Sequence, residues 1–251
     1  PDGDVTIGTE KSGTGVKISG GQFTSRMPTL PREDFPTINE APGTATAVIK
    51  GASLAQMIGK TQFAITGEDT RYYLNGALFV LKPGQMTFVA TDGHRLGLAQ
   101  ATLEADIPKQ EVILPRKTVL ELQRLLRDED TPIEMRFVGN QARFEFSGME
   151  FVTKLVEGKF PDYNRVIPKN HKNAVVMGRA PLLASLQRAA ILTSEKFKGV
   201  RVNIEPGSLR IASSNAEQEE AKEELEIDYN GDAIEIGFNV TYLMDALANM
   251  G

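Results

Sequence analysis

Asp92 and His94 are the two residues of this chain whose types and spacing come closest to a catalytic pair. A carboxylate two residues from an imidazole can act as a general base and acid, so one hypothesis is a hydrolase-type enzyme that uses both side chains. Such an enzyme also needs a nucleophile or a metal ion. His171 is the only other histidine, and no carboxylate–histidine spacing is repeated, so the sequence predicts no metal site.

The segment around this pair has two further interpretations. Asp92-Gly93 suits a turn, and His94 could simply hydrogen-bond within it. Alternatively the segment lines a surface pocket that receives a partner, with Leu96 as part of an apolar wall. The residues by themselves leave the three interpretations open.

The sequence contains an internal repeat, which indicates the structural unit that carries these residues. A Phe-x-Thr/Ser-Lys/Arg phrase leading to Phe-Pro occurs at Phe23 and returns at Phe151, and the two Phe-Pro pairs, at Phe35 and Phe160, lie 125 residues apart. Pro-Gly followed by an apolar run also occurs twice. Repeats of this kind indicate copies of one structural unit. We therefore expect three parts: the end of a first unit at 1–40, a complete unit at 41–170, and a third at 171–251 that lacks its last strands.

Apolar periodicity predicts an α+β fold in which each unit packs two helices on antiparallel sheets. The second unit should contain a helix near 53–66 and another that starts at Pro115. Residues 39–44 are expected to form a linker, and 217–224 fit either a helix or a strand. The predicted strands lie at 72–80, 86–90, 95–102, 133–138, 142–146, 149–156 and 224–227, and the third unit's helices lie near 182–190 and 240–250.

The two copies differ in the chemistry of the turn. The second copy has Asp92-Gly93 followed by His94 and Arg95, whereas the third has Asn215-Ala216 followed by Glu217 and Gln218. Both pairs suit a turn, so the turn belongs to the architecture, while the histidine and arginine belong to one copy. A second difference lies at 71–76, where Tyr72 and Tyr73 on one strand would point to opposite faces.

Composition sets limits on the class of protein. With 28 Lys and Arg against 33 Asp and Glu, the net charge is −5, which does not by itself suggest nucleic-acid binding. There is no cysteine for a disulfide, which fits a reducing compartment, and no apolar run approaches the roughly 18 residues that span a bilayer. Basic residues nevertheless gather on the predicted helices, where they form either a solvated face or a track for phosphates. They are Lys60, Arg116, Lys117, Arg124, Arg127, Arg179 and Arg188.

Several collinear motifs together resemble the bacterial sliding-clamp family, the β subunits of DNA polymerase III. The matches spread from about residue 22 to residue 247, nearly the whole chain, and the motifs that carry them lie between residues 71 and 240. The motifs are Arg71 to Gly76, Ala90 to Leu96, Leu114 to Lys117, Lys154-Leu155, Phe160 to Tyr163, Glu195 to Arg201, Asn215 to Glu220 and Gly237 to Val240. The resemblance implies similar domains with the DNA-clamp fold, joined head to tail in a dimeric ring with helices lining the hole. It also explains how an acidic protein could encircle duplex DNA, with basic helices inward and acidic sheets outward.

The resemblance also implies site residues, which we carry over by position. The family's partner-peptide pocket corresponds to Leu74, Thr91, Gly93, His94, Arg95, Leu96, Pro161, Arg165, Val166, Asn239 and Tyr242. The residues that contact DNA correspond to Arg71, Tyr72, Tyr73, Arg116 and Lys117. Ile191 and Leu192 correspond to one side of the subunit interface.

The implied function is processivity in DNA replication without catalysis, cofactor or metal. The implied partners are duplex DNA bound without sequence preference, the polymerase III alpha subunit, the clamp loader and other proteins with a clamp-binding motif. The implied location is the bacterial cytoplasm, in association with the nucleoid. Because both ends fall within a repeat and the family's carboxyl-terminal tail has no counterpart here, we expect an incomplete pocket and a monomer for a polypeptide of these residues alone.

Overall fold

The computed structural model describes residues 3–10, 13–36, 46–126, 131–194 and 196–250. The chain divides into two compact units, Pro1–Pro42 and Gly43–Gly251. In the first unit, strands β1 (Thr6–Thr9), β2 (Gly15–Gly20) and β3 (Phe23–Pro28) form an antiparallel sheet in that order. A short 3-10 turn, Arg32–Asp34, follows β3.

The second unit contains four helices and three four-stranded antiparallel sheets within the described ranges. The helices are α1 (Gly51–Thr61), α2 (Arg116–Leu125), α3 (Arg179–Ile191) and α4 (Val240–Asn249). The strands are β4 (Thr46–Lys50), β5 (Gly76–Lys82), β6 (Gly84–Thr91), β7 (Leu96–Leu103), β8 (Gln110–Pro115), β9 (Pro132–Val138), β10 (Gln141–Phe146), β11 (Met149–Lys154), β12 (Gly199–Glu205), β13 (Ser208–Ser214), β14 (Glu220–Glu226) and β15 (Ile234–Asn239). The first part of this unit has sheets with the strand orders β11-β10-β9-β4 and β7-β6-β5-β8, and the last part has a sheet with the order β14-β13-β12-β15.

The repeat that the sequence predicts is present in the topology. The run α1-β5-β6-β7-β8-α2 has the same order and sheet pairing as α3-β12-β13-β14-β15-α4. Gly84 and Gly207 occupy the equivalent hairpins with φ of +77° and +79°, which glycine adopts without the steric cost of a Cβ. The α+β fold class, with two helices per copy on antiparallel sheets, is confirmed.

The main hydrophobic core lies between the helices and the sheets of the second unit's first part. Leu54, Met57 and Ile58 form the buried stripe of α1, as their helical spacing predicts. Phe144 and its alternate neighbours on β10 face the same cluster, as the period of two requires. A second core joins α3 and α4 to their own sheet, and a third, smaller cluster lies around Leu74 and Phe160.

The prediction of a strand at 72–80 is wrong at its start. Tyr72–Leu74 form a 3-10 turn, and β5 begins at Gly76. The side chain of Asn75 explains the difference, because its Oδ1 accepts from the Asp69 amide and its Nδ2 donates to the Asp69 carbonyl, both at 2.9 Å. Such side-chain bonds compete with a strand ladder. The reasoning that strand alternation separates the two tyrosines therefore fails, although Tyr72 is exposed and Tyr73 packs on the third cluster.

The boundaries of other elements differ less from the predictions. The helix expected at 53–66 is α1, at Gly51–Thr61, followed by a 3-10 turn at Gln62–Ala64. Pro115 ends β8 with ψ of 148° and caps α2, which begins at Arg116. The acidic run ends in a strand, β14. The linker at 39–44, Arg127 and Glu195 lie outside the described residues. The expected domain boundaries near 40 and 170 stay a prediction.

None of the helices within the described ranges is both long and apolar enough to cross a lipid bilayer.

Gly97 allows α1 to pack closely on β7, and this contact generates a prediction for stability. A Cβ at Gly97 would lie 2.9 Å from Cα of Thr61, so Gly97→Ala forces the helix away from the sheet. We expect the free energy of unfolding to fall by about 1–3 kcal/mol, measured by urea denaturation. Gly59→Ala is the matched control, because the nearest atom to a Cβ there is Gln123 Nε2 at 3.9 Å. Gly59→Ala should raise the free energy of unfolding by up to about 1 kcal/mol, because alanine favours a helix more than glycine does. Equal effects of the two substitutions would contradict this account of the packing.

Candidate functional site

The turn between β6 and β7 is built around the side chain of Asp92. Its Oδ1 accepts hydrogen bonds from the backbone amides of His94 at 2.9 Å and Arg95 at 3.0 Å. Thr91 Oγ1 donates to the Arg95 carbonyl at 2.7 Å and accepts from the Gly93 amide at 3.1 Å. In the other copy Asn215 Oδ1 likewise accepts from a backbone amide of its own turn, that of Glu219. The turn is therefore architectural in both copies.

The geometry gives the hydrolase hypothesis no catalytic pair. The second oxygen of Asp92, Oδ2, accepts from Arg95 Nε at 3.1 Å, so the carboxylate is fully engaged in the turn. The imidazole of His94 instead stacks on the ring of Tyr242, with centroids 5.7 Å apart and planes 20° from parallel. Within the described ranges no hydrogen bond joins the carboxylate to the imidazole, and no cluster of three or more His, Cys, Asp or Glu could hold a metal ion.

Arg95 connects this turn to two other elements. Besides Asp92, its guanidinium donates to the Phe63 carbonyl at 2.9 Å and forms an ion pair with Asp245 on α4. Its carbon Cζ lies 4.7 Å from the ring centroid of Tyr242 and 5.4 Å from that of Phe63, which are cation–π distances. The side chain is only 19% exposed. The turn after β6, the 3-10 turn after α1 and helix α4 therefore meet at one guanidinium.

The candidate pocket residues occupy several distinct places around this point. Leu74 is 2% exposed and belongs to the third cluster, against which Leu96 packs. Leu96 also lines a groove of about 470 Å³ with Phe63 and Ala246, whereas Pro161 lines a separate recess of about 640 Å³. The structure thus places Leu96 and Pro161 in different concavities.

Three candidates lie at the ends of short elements. Arg165 is 85% exposed and forms one ion pair, with Asp162 at 3.1 Å. Val166 follows it and is exposed. Asn239 caps α4, because its Oδ1 accepts from the Thr241 amide at 2.9 Å. Asn239 therefore fixes the start of the helix that carries Tyr242.

A loop that contains Arg71 contacts the turn from another side. The Arg71 guanidinium bonds Asp69 at 2.7 Å and donates to the Asp92 carbonyl at 3.3 Å. The pKa of Asp69 is lowered to about 2, chiefly by the hydrogen bond from the Arg71 side chain, so the pair is ionised at neutral pH. A Cβ at Gly93, where φ is +87°, would lie 3.0 Å from Arg71 Nη1. Glycine is therefore needed at this position.

The four helices are neighbours in the order α2, α1, α4, α3, and three of their six basic residues have partners. Arg188 on α3 pairs with Glu223 at 2.5 Å, and Arg179 donates to the Leu247 carbonyl at the end of α4. Arg116 and Lys117 are exposed in the first turn of α2, and no ion pair of theirs occurs in the described part of the chain. These two side chains are the ones most available to an anion.

The interface candidates lie at the carboxyl end of α3. Ile191 is 75% exposed and Leu192 is half-buried. An isoleucine so exposed has no packing role of its own, so the end of α3 offers a small apolar surface.

Asp69, Phe63 and Asp245 join the site without having been identified from the sequence. Asp245 did carry a signal, because it is the only charged residue of α4, and a single charge on an otherwise apolar helix commonly has a partner. Its partner, 150 residues away along the chain, could not be read from local pattern.

Comparisons with known proteins agree over nearly the whole chain. The family model for the DNA polymerase III beta subunit central domain matches residues 48–162, and that for its C-terminal domain matches 164–251. The beta sliding clamps of Pseudomonas aeruginosa and Vibrio cholerae are 43% and 42% identical over 98% and 94% of this chain. The crystal structure of the P. aeruginosa DNA polymerase III subunit beta superposes on 98% of this chain with a TM-score of 0.92, at 40% identity.

The chain spans 67% and 64% of the length of these two curated relatives, and 68% of the crystallised subunit. The comparisons give no support to a hydrolase. Because the two family models cover most of the chain and the identity exceeds 40% to relatives of known name, the chain belongs to the beta sliding clamp family, the beta subunits of DNA polymerase III.

Proposed function

We propose that the protein containing this chain is a sliding clamp that encircles duplex DNA as a head-to-tail dimeric ring. It tethers the replicative polymerase and confers processivity in replication without catalysing a reaction. The observation that carries the proposal is the 43% identity to a beta sliding clamp over 98% of the chain. Within this chain we assign residues 1–40 to the end of a first clamp domain, 41–170 to a second domain and 171–251 to a third, and the protein acts in the bacterial cytoplasm at the nucleoid.

The charge of the helices supports the proposed DNA contact. In a chain of net charge −5, the four helices carry six basic residues and two acidic ones. Because a ring is held on DNA by threading, its phosphate contacts can be weak and still allow sliding. We assign this contact to the side chains of Arg71, Tyr72, Tyr73, Arg116 and Lys117.

The proposed partner pocket lies around the turn after β6. It receives linear peptides of the polymerase III alpha subunit, the clamp loader and other proteins with a clamp-binding motif. The stack of the exposed His94 on the half-buried Tyr242 supports this assignment, because aromatic rings held in place offer contact area at low cost in conformational entropy. The remaining members are Leu74, Thr91, Gly93, Arg95, Leu96, Pro161, Arg165, Val166 and Asn239. Tethering at this pocket raises the polymerase concentration at the primer end.

A test on circular DNA separates threading from ordinary binding. The protein, loaded by its clamp loader on nicked circular duplex, should remain bound and should leave when the circle is cut. Arg116→Ala combined with Lys117→Ala should preserve this retention. On short linear duplex, log K falls as log salt concentration rises, and the magnitude of this slope should be smaller by about 2 in the double variant. Each neutralised phosphate contributes roughly 0.9 to that magnitude.

Arg188→Ala is the control for the DNA test, because Arg188 already pairs with Glu223 and its loss should leave the salt slope unchanged. Equal lifetimes on cut and closed DNA would contradict the ring.

The two histidines provide a matched test of the pocket. His94→Ala should weaken binding of a fluorescent peptide copied from the clamp-binding segment of the organism's alpha subunit by about tenfold, since the stack on Tyr242 is lost. Fluorescence anisotropy measures the affinity. His171→Ala, at an exposed residue away from this turn, should have no effect. Equal loss in both variants, or hydrolytic turnover that only His94→Ala removes, would contradict a peptide pocket.

A polypeptide of only these 251 residues should be monomeric, with Ile191 and Leu192 left as one side of an unpaired interface. Sedimentation velocity measures this directly. A stable closed dimer at micromolar concentration would show that the assignment of the interface is wrong.

A further inference from the structure

Arg95 is the best-anchored side chain of the proposed pocket. Three of its N–H groups donate to Asp92, Asp245 and the Phe63 carbonyl, which are carried by three different elements. Its guanidinium lies against the rings of Phe63 and Tyr242. A guanidinium has five N–H donors, so most of its bonding capacity is used inside the protein. The two remaining N–H groups are on Nη1 and Nη2, which already donate to Asp245 and the Phe63 carbonyl, and the side chain is only 19% exposed, so a partner peptide has little access to them.

Asp245 connects Arg95 to helix α4, which carries the pocket residue Tyr242. It and Tyr242 are three residues apart on α4, so both side chains lie on the same face of the helix. Asp245 holds the guanidinium of Arg95, while Tyr242 stacks on the imidazole of His94, the residue before Arg95. One ion pair therefore sets the distance between α4 and the turn, and with it the geometry of the aromatic pair.

We propose that Asp245 is a positioning residue of the pocket. Arg95 contributes to binding by holding Asp245, and with it α4, in place, and it does not contact the partner. The inference rests on the proposed function, since it assumes that a peptide binds at this turn. Arg165, exposed and held by the single carboxylate of Asp162, is the guanidinium available to a carboxylate or carbonyl of the partner. Affinity at this pocket, which draws residues from both matched segments, then depends on a residue of α4 that the peptide does not touch.

The test compares single and double substitutions in the protein that contains this chain. The probe is a fluorescent peptide copied from the clamp-binding segment of the alpha subunit. Asp245→Ala and Arg95→Ala should each weaken binding by about tenfold. The double variant should be no weaker than either single variant, because both remove the same constraint. Asp245→Asn keeps an acceptor oxygen for Arg95 and should recover part of the affinity.

Glu223→Ala provides the matched control. It removes another arginine–carboxylate ion pair of the same part of the chain, between Arg188 on α3 and β14. Its melting temperature should change about as much as that of Asp245→Ala, while its peptide affinity should stay within twofold of the unsubstituted protein. This comparison separates positioning of the pocket from a general loss of structure.

Two results would overturn the inference while leaving the pocket in place. One is Arg95→Ala weakening the peptide while Asp245→Ala does not, which would mean direct contact by Arg95. The other is Glu223→Ala weakening it as much as Asp245→Ala. Failure of the unsubstituted protein to bind the peptide would instead overturn the proposed function, and this inference with it.

Discussion

The guanidinium of Arg95 is the interaction on which the arrangement of the candidate site depends. A buried or half-buried arginine must have its donors satisfied, and here the acceptors come from the turn after β6, the 3-10 turn after α1 and helix α4. The matched segment 48–162 and the matched segment 164–251 are therefore joined by one charged group. A surface that draws residues from both segments needs such a connection to keep its shape.

The other features of the site follow from this constraint. The turn can present His94 because Asp92 closes it through backbone amides, and Asp92 also fixes Nε of Arg95. The row of helices α2, α1, α4 and α3 continues across the junction at which Arg95 meets Asp245. The same contact therefore supports both the proposed peptide surface at the turn and the helical row that carries the basic residues. The proposed ring uses both, because peptide binding and the encircling of DNA take place on different surfaces.

Local pattern was enough for most of the fold. Leu54, Met57 and Ile58 have the spacing of a helix face, and the two Pro-Gly hairpins have the residues that a left-handed φ requires. The start of β5 was not predictable, because Asn75 diverts the chain into a 3-10 turn through bonds to residues six and nine positions earlier. In the site, the turn was predictable from Asp92-Gly93. The Arg95–Asp245 pair was not, since it depends on how the helices pack.

The most direct measurement is a crystal structure of the protein with a bound clamp-binding peptide. We predict that the peptide lies against the stacked rings of His94 and Tyr242. Arg95 should keep its bonds to Asp92, Asp245 and the Phe63 carbonyl, with no hydrogen bond to the peptide. A structure in which Arg95 leaves Asp245 and donates to the peptide would contradict the account, as would a peptide bound away from this turn.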